Sequence, residues 1–310
     1  MRALVTGATG FVGRYLVEAL RRDGAEVFAC AGPRDLNSEH FKIDLADPRT
    51  LREALDAWHP TVIFHLAAQT FVPESLTSPI ETYETNAIGT ARLAQAVREG
   101  APGTPPRIVF TSSAEVYGTR DPGDFPLREG LDVRPATPYG ASKASAEAIL
   151  LGESHSFGLD VVIARAFNHI GPEQDERFVV ASLAAQLARI AAGGPRTLLV
   201  GNLTAARDFL DVRDVVAAYI ALARQGEGGQ VYNVCSGRAV AIRDILRELI
   251  AIARVPVEVR EDPNRARPAD VPLSVGSAEK LRASTDWRPQ IALVRSLRDV
   301  YDAALARVTR

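Results

Sequence analysis

The chain has 310 residues and a formal net charge of −2, and 46% of its residues are hydrophobic and 24% charged. This length and composition exclude wholesale disorder and favour one large domain or two coupled ones. The near-neutral balance offers no basic surplus, so we expect no nucleic-acid partner. The two cysteines, Cys30 and Cys235, allow one bridge but no disulfide framework, which favours a reducing, cytoplasmic location.

No run of about 20 largely apolar residues occurs, so we expect no membrane-spanning segment. The basic-then-apolar start of the chain is similar to the opening of a signal peptide. Because Gly7, Gly10 and Gly13 interrupt the apolar run, we predict a buried first strand instead.

Strands and helices are predicted to alternate through the first half of the chain. The predicted strands cover residues 2–6, 26–30, 61–66, 107–111 and 161–164, and the predicted helices cover 11–22, 48–58, 80–99 and 139–157. This alternation is typical of an α/β fold with a doubly wound parallel sheet.

The pattern changes after about residue 167. Helices are predicted at 176–192, from about 211 to 223, and at 242–253, 277–283 and 294–307, with strands at 198–200 and 231–234. We therefore expect a smaller, partly interleaved C-terminal α/β lobe. Residues 1–167 form the first unit, residues 203–235 return to it, and residues 168–202 and 236–310 form the second.

A glycine-rich turn lies between the first predicted strand and the first predicted helix. Its glycines allow a tight turn that approaches a pyrophosphate, and the helix N-terminus offers N–H groups and a positive dipole end. The spacing is Gly-x-x-Gly-x-x-Gly rather than Gly-x-Gly-x-x-Gly. We predict a dinucleotide site. The alternative is a turn whose only role is to pack the helix against the strand. The predicted cofactor residues here are Gly7, Thr9, Gly10, Phe11, Val12 and Gly13.

The second predicted strand ends without the carboxylate that would hold an adenosine ribose. Arg34 is available there to a 2′-phosphate, which favours NADP(H) and leaves NAD(H) open; alternatively, Arg34 is a solvated loop residue. Asp44 follows a third strand-like segment. It either accepts a hydrogen bond from the adenine amino group or caps the helix that begins near Pro48.

Tyr139 and Lys143 are four residues apart on a predicted helix, so they share one face. A nearby ammonium would lower the tyrosine pKa from about 10 and make Tyr139 an acid or base for alcohol–ketone interconversion. Pro138 suits the first turn, which places Tyr139 at the helix start. Ser112 and Ser113 end a neighbouring strand, and Ser113 can donate to the same carbonyl oxygen. Turn capping is the alternative, and we expect one of the two serines to do only that.

Together these residues resemble the extended short-chain dehydrogenase/reductase family over essentially the whole chain. The further motifs are His65-Leu66-Ala67-Ala68, Asn86-x-x-Gly89-Thr90 and Ser112-Ser113-Ala114-Glu115-Val116-Tyr117-Gly118. The resemblance implies a Rossmann domain in residues 1–167 and a catalytic triad of Ser113, Tyr139 and Lys143. It also assigns to the cofactor site Leu45, Leu66, Ala67, Ala68, Thr111, Tyr139, Lys143, Phe167 and His169.

The second half is similar to the GDP-mannose branch of that family, which pairs 4,6-dehydratases with GDP-4-keto-6-deoxy-D-mannose reductases. The run Asn168-His169-Ile170-Gly171-Pro172 is closer to the reductases. The resemblance implies a GDP-linked deoxysugar partner, and arginine forks suit its diphosphate. For Arg207 and Arg267, the alternative is that each forms a surface ion pair. The substrate residues implied are Ser113, Asn168, Val179, Asn202, Arg207 and Arg267.

Glu115 leaves the reaction open. In the related dehydratases a glutamate at this place assists loss of water, whereas here it is alternatively a structural acceptor. Position 114 is alanine, so a paired acid is absent. We predict a reductase that uses NADPH or NADH, with a dehydratase, a 4-epimerase or a non-catalytic dinucleotide sensor as alternatives. No histidine spacing indicates a metal. The resemblance further implies a homodimer through a four-helix bundle.

Overall fold

The structure, a computed structural model, describes residues 1–33, 35, 40–100, 105–265 and 271–309. Its strands, in chain order, are β1 Arg2–Thr6, β2 Glu26–Ala31, β3 Phe41–Lys42, β4 Val62–His65, β5 Arg107–Ser113, β6 Val161–Ala166, β7 Asn168–Ile170, β8 Thr197–Val200, β9 Ala206–Asp211, β10 Gln230–Val234, β11 Ala239–Ala241, β12 Glu258–Glu261 and β13 Leu273–Ser274.

The α-helices surround the strands. They are α1 Phe11–Arg22, α2 Pro48–Trp58, α3 Val72–Thr77, α4 Pro79–Tyr83, α5 Gly89–Arg98, α6 Pro138–Phe157, α7 Val179–Ala191, α8 Val212–Gln225, α9 Ile242–Ala253, α10 Glu279–Ser284 and α11 Leu293–Val308.

Seven parallel strands form the central sheet in the order β10-β6-β5-β4-β1-β2-β3. Helices α1 and α8 bury one face of it through Leu16, Leu20 and Leu222. Helices α2, α5 and α6 bury the other face. Both faces are covered because strands of a parallel sheet are joined by crossover helices. The predicted doubly wound α/β fold is confirmed.

A smaller sheet contains β7, β9, β11 and β13. It packs with α7, α9 and α11 around a separate apolar cluster. The hydrophobic pattern does not predict β9, because Arg207, Asp208 and Asp211 interrupt it. The buried carboxylates are satisfied locally instead: Asp208 accepts the backbone N–H groups of Ser236 and Gly237, and Asp211 caps α8.

The helix predicted at 80–99 is not uniform. A π turn, Glu84–Ile88, joins α4 to α5, and the Gly89 N–H donates to the Glu84 carbonyl. The hydroxyl of Thr90 donates to the Asn86 carbonyl at 2.6 Å. Side-chain bonding of this kind stabilises a wide turn that a regular helical pattern does not predict.

Candidate active site

A cleft of about 1590 Å³ runs along the carboxyl ends of the central strands and continues beneath the smaller sheet. Ligands of open α/β sheets bind at this edge. Every predicted site residue that the structure describes lines the cleft, whereas Arg34 and Arg267 lie outside the described residues. The lining set comprises Gly7, Thr9, Gly10, Phe11, Val12, Gly13, Asp44, Leu45, Leu66, Ala67, Ala68, Thr111, Ser113, Glu115, Tyr139, Lys143, Phe167, Asn168, His169, Val179, Asn202 and Arg207.

The glycine turn has the geometry of a phosphate cradle. Gly7 has a φ of +68°, and a Cβ there would lie 2.9 Å from the Ala67 nitrogen. A Cβ on Gly13 would lie 2.2 Å from the Gly7 carbonyl oxygen. Gly10 precedes α1 and has no side chain to cover the first N–H groups of the helix. These residues therefore fit a dinucleotide pyrophosphate.

Asp44 is not the cap of α2, because Asp47 accepts the Arg49 N–H at that helix start. Asp44 instead accepts the Ala46 N–H at 2.8 Å and lines the cleft. Of the two interpretations that the sequence allows, capping of α2 is wrong, and the adenine contact stays a prediction.

His65 fixes the floor of the cleft. The Thr6 hydroxyl accepts the N–H groups of Leu66 and Ala67, so its own proton is directed to His65 Nδ1, 2.8 Å away. The other ring nitrogen, Nε2, then donates to Thr90 over 3.0 Å. Burial, together with the charge of Lys143, lowers the pKa of His65 to about 3. His65 is therefore a neutral structural residue that joins β1, β4 and α5.

Tyr139 lies in the first turn of α6, as predicted. The Thr137 hydroxyl caps this helix by accepting the Gly140 N–H at 3.0 Å, and Pro138 occupies the first turn. The Tyr139 N–H donates to the Ser75 hydroxyl on α3. Gly140 permits close contact with the turn after β5, since a Cβ there would lie 2.7 Å from the Glu115 carbonyl oxygen. These contacts bring the phenol beside Ser113.

The phenol of Tyr139 is neutral at ordinary pH. Burial raises its pKa to about 12; the hydrogen bond with Ser113 opposes this rise, and the charge of Glu115 adds to it. Burial also lowers the pKa of Lys143 to about 7, against the opposing effect of Glu147. The expectation of a tyrosine pKa below its ordinary value is therefore wrong, because burial is the dominant effect. Removal of both groups from water disfavours both charged forms, and Lys143 Nζ donates to the Thr111 carbonyl over 2.8 Å.

The two serines at the end of β5 have different surroundings. Ser113 accepts the Glu115 N–H at 3.2 Å, contacts Tyr139 and faces the cleft. Ser112 is buried and donates to the carboxylate of Glu147, which is paired with Arg165. Ser113 therefore caps the turn and also contacts the phenol, while Ser112 anchors β5 to α6. The expectation that one of the two serines only caps the turn is wrong.

The far wall of the cleft belongs to the smaller sheet and its helices. The rings of His169 and Phe11 stack with centroids 6.1 Å apart, which joins this wall to the glycine turn. Burial lowers the pKa of His169, and the hydrogen bond with the Phe167 carbonyl opposes this effect. Arg207 lines this wall together with Asn202.

Two distant segments meet across the cleft mouth in a set of contacts, here called the bridge, that sequence patterns do not predict. Arg177 lies over the ring of Phe71, 4.9 Å from its centroid, and pairs with Glu74 at 3.7 Å. Phe71 also meets Phe178 edge-on at 5.9 Å. All four residues line the cleft, but they come from segments far apart in sequence. The loop that carries Phe71 is fixed by Asn86, which accepts the Gln69 N–H and donates to the Gln69 carbonyl.

The described residues contain no group of three histidine, cysteine or acidic side chains placed to hold a metal ion. Within those same ranges, no helix combines the length and apolar character needed to cross a membrane.

The fold and the site define an NAD(P)-dependent oxidoreductase of the extended short-chain dehydrogenase/reductase type. More narrowly, the chain belongs to the GDP-mannose 4,6 dehydratase family, whose model matches residues 4–300. The resemblance inferred from the sequence is confirmed.

Similar proteins carry out several reactions. The chain is 40% identical to a GDP-6-deoxy-D-mannose reductase of Pseudomonas aeruginosa, with 99% of this chain and 98% of the relative covered. The structure of RMD from Pseudomonas aeruginosa complexed with NADPH is 37% identical, covers 99% and 100% of the two chains and has a TM-score of 0.87. The UDP-glucose 4-epimerase of Thermus thermophilus, in complex with NAD, is 33% identical over 98% and 99%, with a TM-score of 0.86.

Proposed function

We propose that this protein reduces the C4 keto group of GDP-4-keto-6-deoxy-D-mannose, with Tyr139 as the proton donor. The observation that carries the proposal is the neutral phenol of Tyr139, hydrogen-bonded to Ser113 at the carboxyl edge of the sheet. A neutral phenol is ready to give a proton to a developing alkoxide. The likeness to a reductase over nearly the full length of both chains supports the same direction.

The cofactor is NADP(H) in this proposal, and NAD(H) is the alternative. The NADPH in the similar Pseudomonas aeruginosa structure supports NADP(H). The glycine turn would hold the pyrophosphate, Leu66 to Ala68 the adenosine and phosphate side, and Lys143 the nicotinamide ribose. Arg34 would contact the 2′-phosphate. When bound, the reduced nicotinamide supplies the hydride that the keto carbon accepts.

The chain's own residues handle the oxygen and the proton. Ser113 donates to the keto oxygen and orients it toward Tyr139, which transfers its phenolic proton to that oxygen. This transfer leaves a phenolate that is stabilised by an ammonium at Lys143. The product is GDP-D-rhamnose, or GDP-6-deoxy-D-talose if the opposite sugar face meets the cofactor.

The nucleotide sugar would occupy the wall formed by the smaller sheet. This wall is lined by Asn168, Val179, Asn202 and Arg207. Arg267, which lies outside the described residues, is the second arginine proposed to bind the diphosphate. Planar guanidinium forks bind diphosphate oxygens in pairs. We accordingly propose residues 1–167 as the cofactor unit, with 203–235 returning to it, and residues 168–202 and 236–310 as the substrate unit.

A 4,6-dehydratase that retains its cofactor is the second candidate. Glu115 favours it, because this carboxylate lines the cleft and acts electrostatically on Tyr139. A base at that place could remove a proton next to a keto group. A 4-epimerase shares the same residues and is the third candidate.

One assay distinguishes the reductase from the dehydratase. Purified enzyme is supplied with GDP-mannose alone, and separately with GDP-4-keto-6-deoxy-D-mannose and NADPH or NADH. A reductase consumes reduced cofactor in a one-to-one ratio with the keto sugar and leaves GDP-mannose unchanged. Formation of keto sugar from GDP-mannose without added cofactor would instead establish the dehydratase. A panel of nucleotide sugars in the same assay tests the guanine base.

We also propose a homodimer in which α4–α5 and α6 pair with their copies. Ile80 and Ile88 are 68% and 41% exposed, and Phe157 at the end of α6 is 57% exposed. Exposed large apolar side chains on these helices favour association. Light scattering at micromolar concentration should give twice the chain mass, and Ile80→Glu should shift the protein toward monomer; a wild-type monomer would contradict the proposal.

A further inference from the structure

A buried ion pair lies one helical turn beyond Lys143. Glu147 and Arg165 are 2.7 Å apart, and their side chains are only 4% and 5% exposed. Glu147 follows Lys143 by four residues on α6, so the two side chains share a face. The same carboxylate accepts a hydrogen bond from the hydroxyl of Ser112, the neighbour of Ser113. Glu147 therefore contacts the end of β5 and lies beside the lysine at once.

Among the charged groups that the structure describes around Lys143, Glu147 is the one that favours its protonated form. Among the described groups, electrostatic coupling to this lysine comes from Glu147 on its own helix and from His65 on β4. His65 is neutral above about pH 4 and does not change its charge in the working range. Glu115, after β5, acts on Tyr139 instead. Arg165 on β6 contacts the Glu147 carboxylate, and the Thr111 carbonyl on β5 accepts a hydrogen bond from Lys143 Nζ.

We propose that Glu147 is a positioning residue that keeps Lys143 protonated and fixes the end of β5, with Arg165 as its permanent counter-ion. A buried ion pair contributes little net stability compared with apolar residues of similar size, so stability alone does not account for its place beside the lysine. This inference rests on the proposed role of Lys143 in the reaction. In this proposal Arg165 keeps Glu147 ionised.

The titration of Lys143 can be observed directly because the sequence contains only three lysines, Lys42, Lys143 and Lys280. Protein labelled with ¹³C at the lysine ε-carbon gives three signals, which Lys42→Arg and Lys280→Arg assign. In Glu147→Gln the midpoint of the Lys143 signal should fall by about one pH unit or more. Glutamine keeps the size of the side chain and an acceptor for Ser112.

Two variants test the direction of the effect. Arg165→Gln removes the counter-ion, so the buried Glu147 carboxylate should take up a proton and the Lys143 midpoint should fall, as in Glu147→Gln. The double variant Glu147→Gln/Arg165→Gln removes both charges of the pair, so neither is left buried without its partner. Its midpoint should lie between those of Glu147→Gln and the wild type. Glu153→Gln is the matched control: it breaks an ion pair with Arg98 farther along α6 and should leave the midpoint unchanged.

The pH dependence of reduction links this titration to catalysis. In Glu147→Gln, the alkaline limb of the kcat profile should move down by the same interval as the lysine midpoint. A purely structural role would lower stability and leave both midpoints in place, and that result would overturn the inference. If the NMR shifts occur but no nucleotide sugar is reduced, the assigned reaction is wrong while the Glu147–Lys143 coupling stands.

Discussion

The backbone N–H of Tyr139 donates to the hydroxyl of Ser75 over 3.1 Å. Ser75 is fully buried on α3 and donates its own proton to the Val72 carbonyl. The start of the catalytic helix is thus held by a short helix beside the cleft mouth. The position of a catalytic side chain matters because small displacements of a reacting group lower the rate.

Ser75→Ala should lower the free energy of unfolding by about 1–3 kcal/mol, because it leaves the Tyr139 N–H buried without an acceptor. We expect kcat to fall with it, since the phenol loses its fixed position. Thr77→Ala, at the exposed end of the same helix, is the control and should change stability by less than about 0.5 kcal/mol. Urea unfolding measures both, and equal effects would contradict this role of Ser75.

Tyr139→Phe should reduce kcat by about 10²- to 10⁴-fold, because it removes the hydroxyl that donates the proton and keeps the aromatic ring. NADPH binding, followed by fluorescence, should be retained. Tyr83→Phe, outside the cleft, is the matched control and should keep full activity. Unchanged reductase activity in Tyr139→Phe would contradict the assignment of Tyr139 as the proton donor, whereas NADPH binding without any reduction in the wild type would favour the dinucleotide sensor.

Gly13→Ala should abolish tight cofactor binding, because its methyl group would lie 2.2 Å from the Gly7 carbonyl oxygen. Displacement of the turn should also cost about 1–3 kcal/mol of stability. Gly152→Ala on α6 is the opposite case, since a Cβ there meets nothing within 4 Å. That variant should be stabilised by up to about 1 kcal/mol. Calorimetric titration with NADPH and thermal unfolding test the pair.

The neutral buried His65 should make the fold sensitive to acid. Its pKa is about 3 in the fold, so the unfolded chain takes up the proton first, near pH 6.5. The stability that depends on this ring is fully present above about pH 6.5 and should decline by up to about 1.4 kcal/mol per pH unit below it, until about pH 3.

Urea unfolding at pH 7.5, 6.0 and 5.0 measures this decline. His65→Gln should lose most of the slope along with some stability, whereas His155→Gln, on an exposed part of α6, should retain the slope. A wild-type stability that stays constant between pH 7.5 and 5.0 would contradict the linkage.

The features that the sequence predicts are those encoded locally. The glycine turn needs Gly7 and Gly13 beside one another in the fold, and three evenly spaced glycines indicate it. Tyr139 at a helix start follows from Thr137 and Pro138. In each case the contact partners lie within one strand–turn–helix unit, where spacing defines geometry.

The remaining features depend on segments that are far apart in the chain. The pKa values of Tyr139 and Lys143 follow from burial by α3, β5 and the π turn, which no spacing rule conveys. The bridge between Phe71 and Arg177 arises only when two lobes face each other. For the same reason, the pairing of Glu147 with Arg165 depends on the assembled sheet and follows from no local pattern.

The π turn at Glu84–Ile88 has a geometric consequence for the helix that contains it. One extra residue per turn offsets the helix by about 100° relative to a regular continuation. Thr82 and Thr85 can therefore face the cleft while Leu93 and Val97, farther along, face the sheet. Deletion of one residue from this turn would rotate the two parts of the helix relative to each other. Either the threonines would then turn away from the cleft, or the apolar residues would turn away from the sheet.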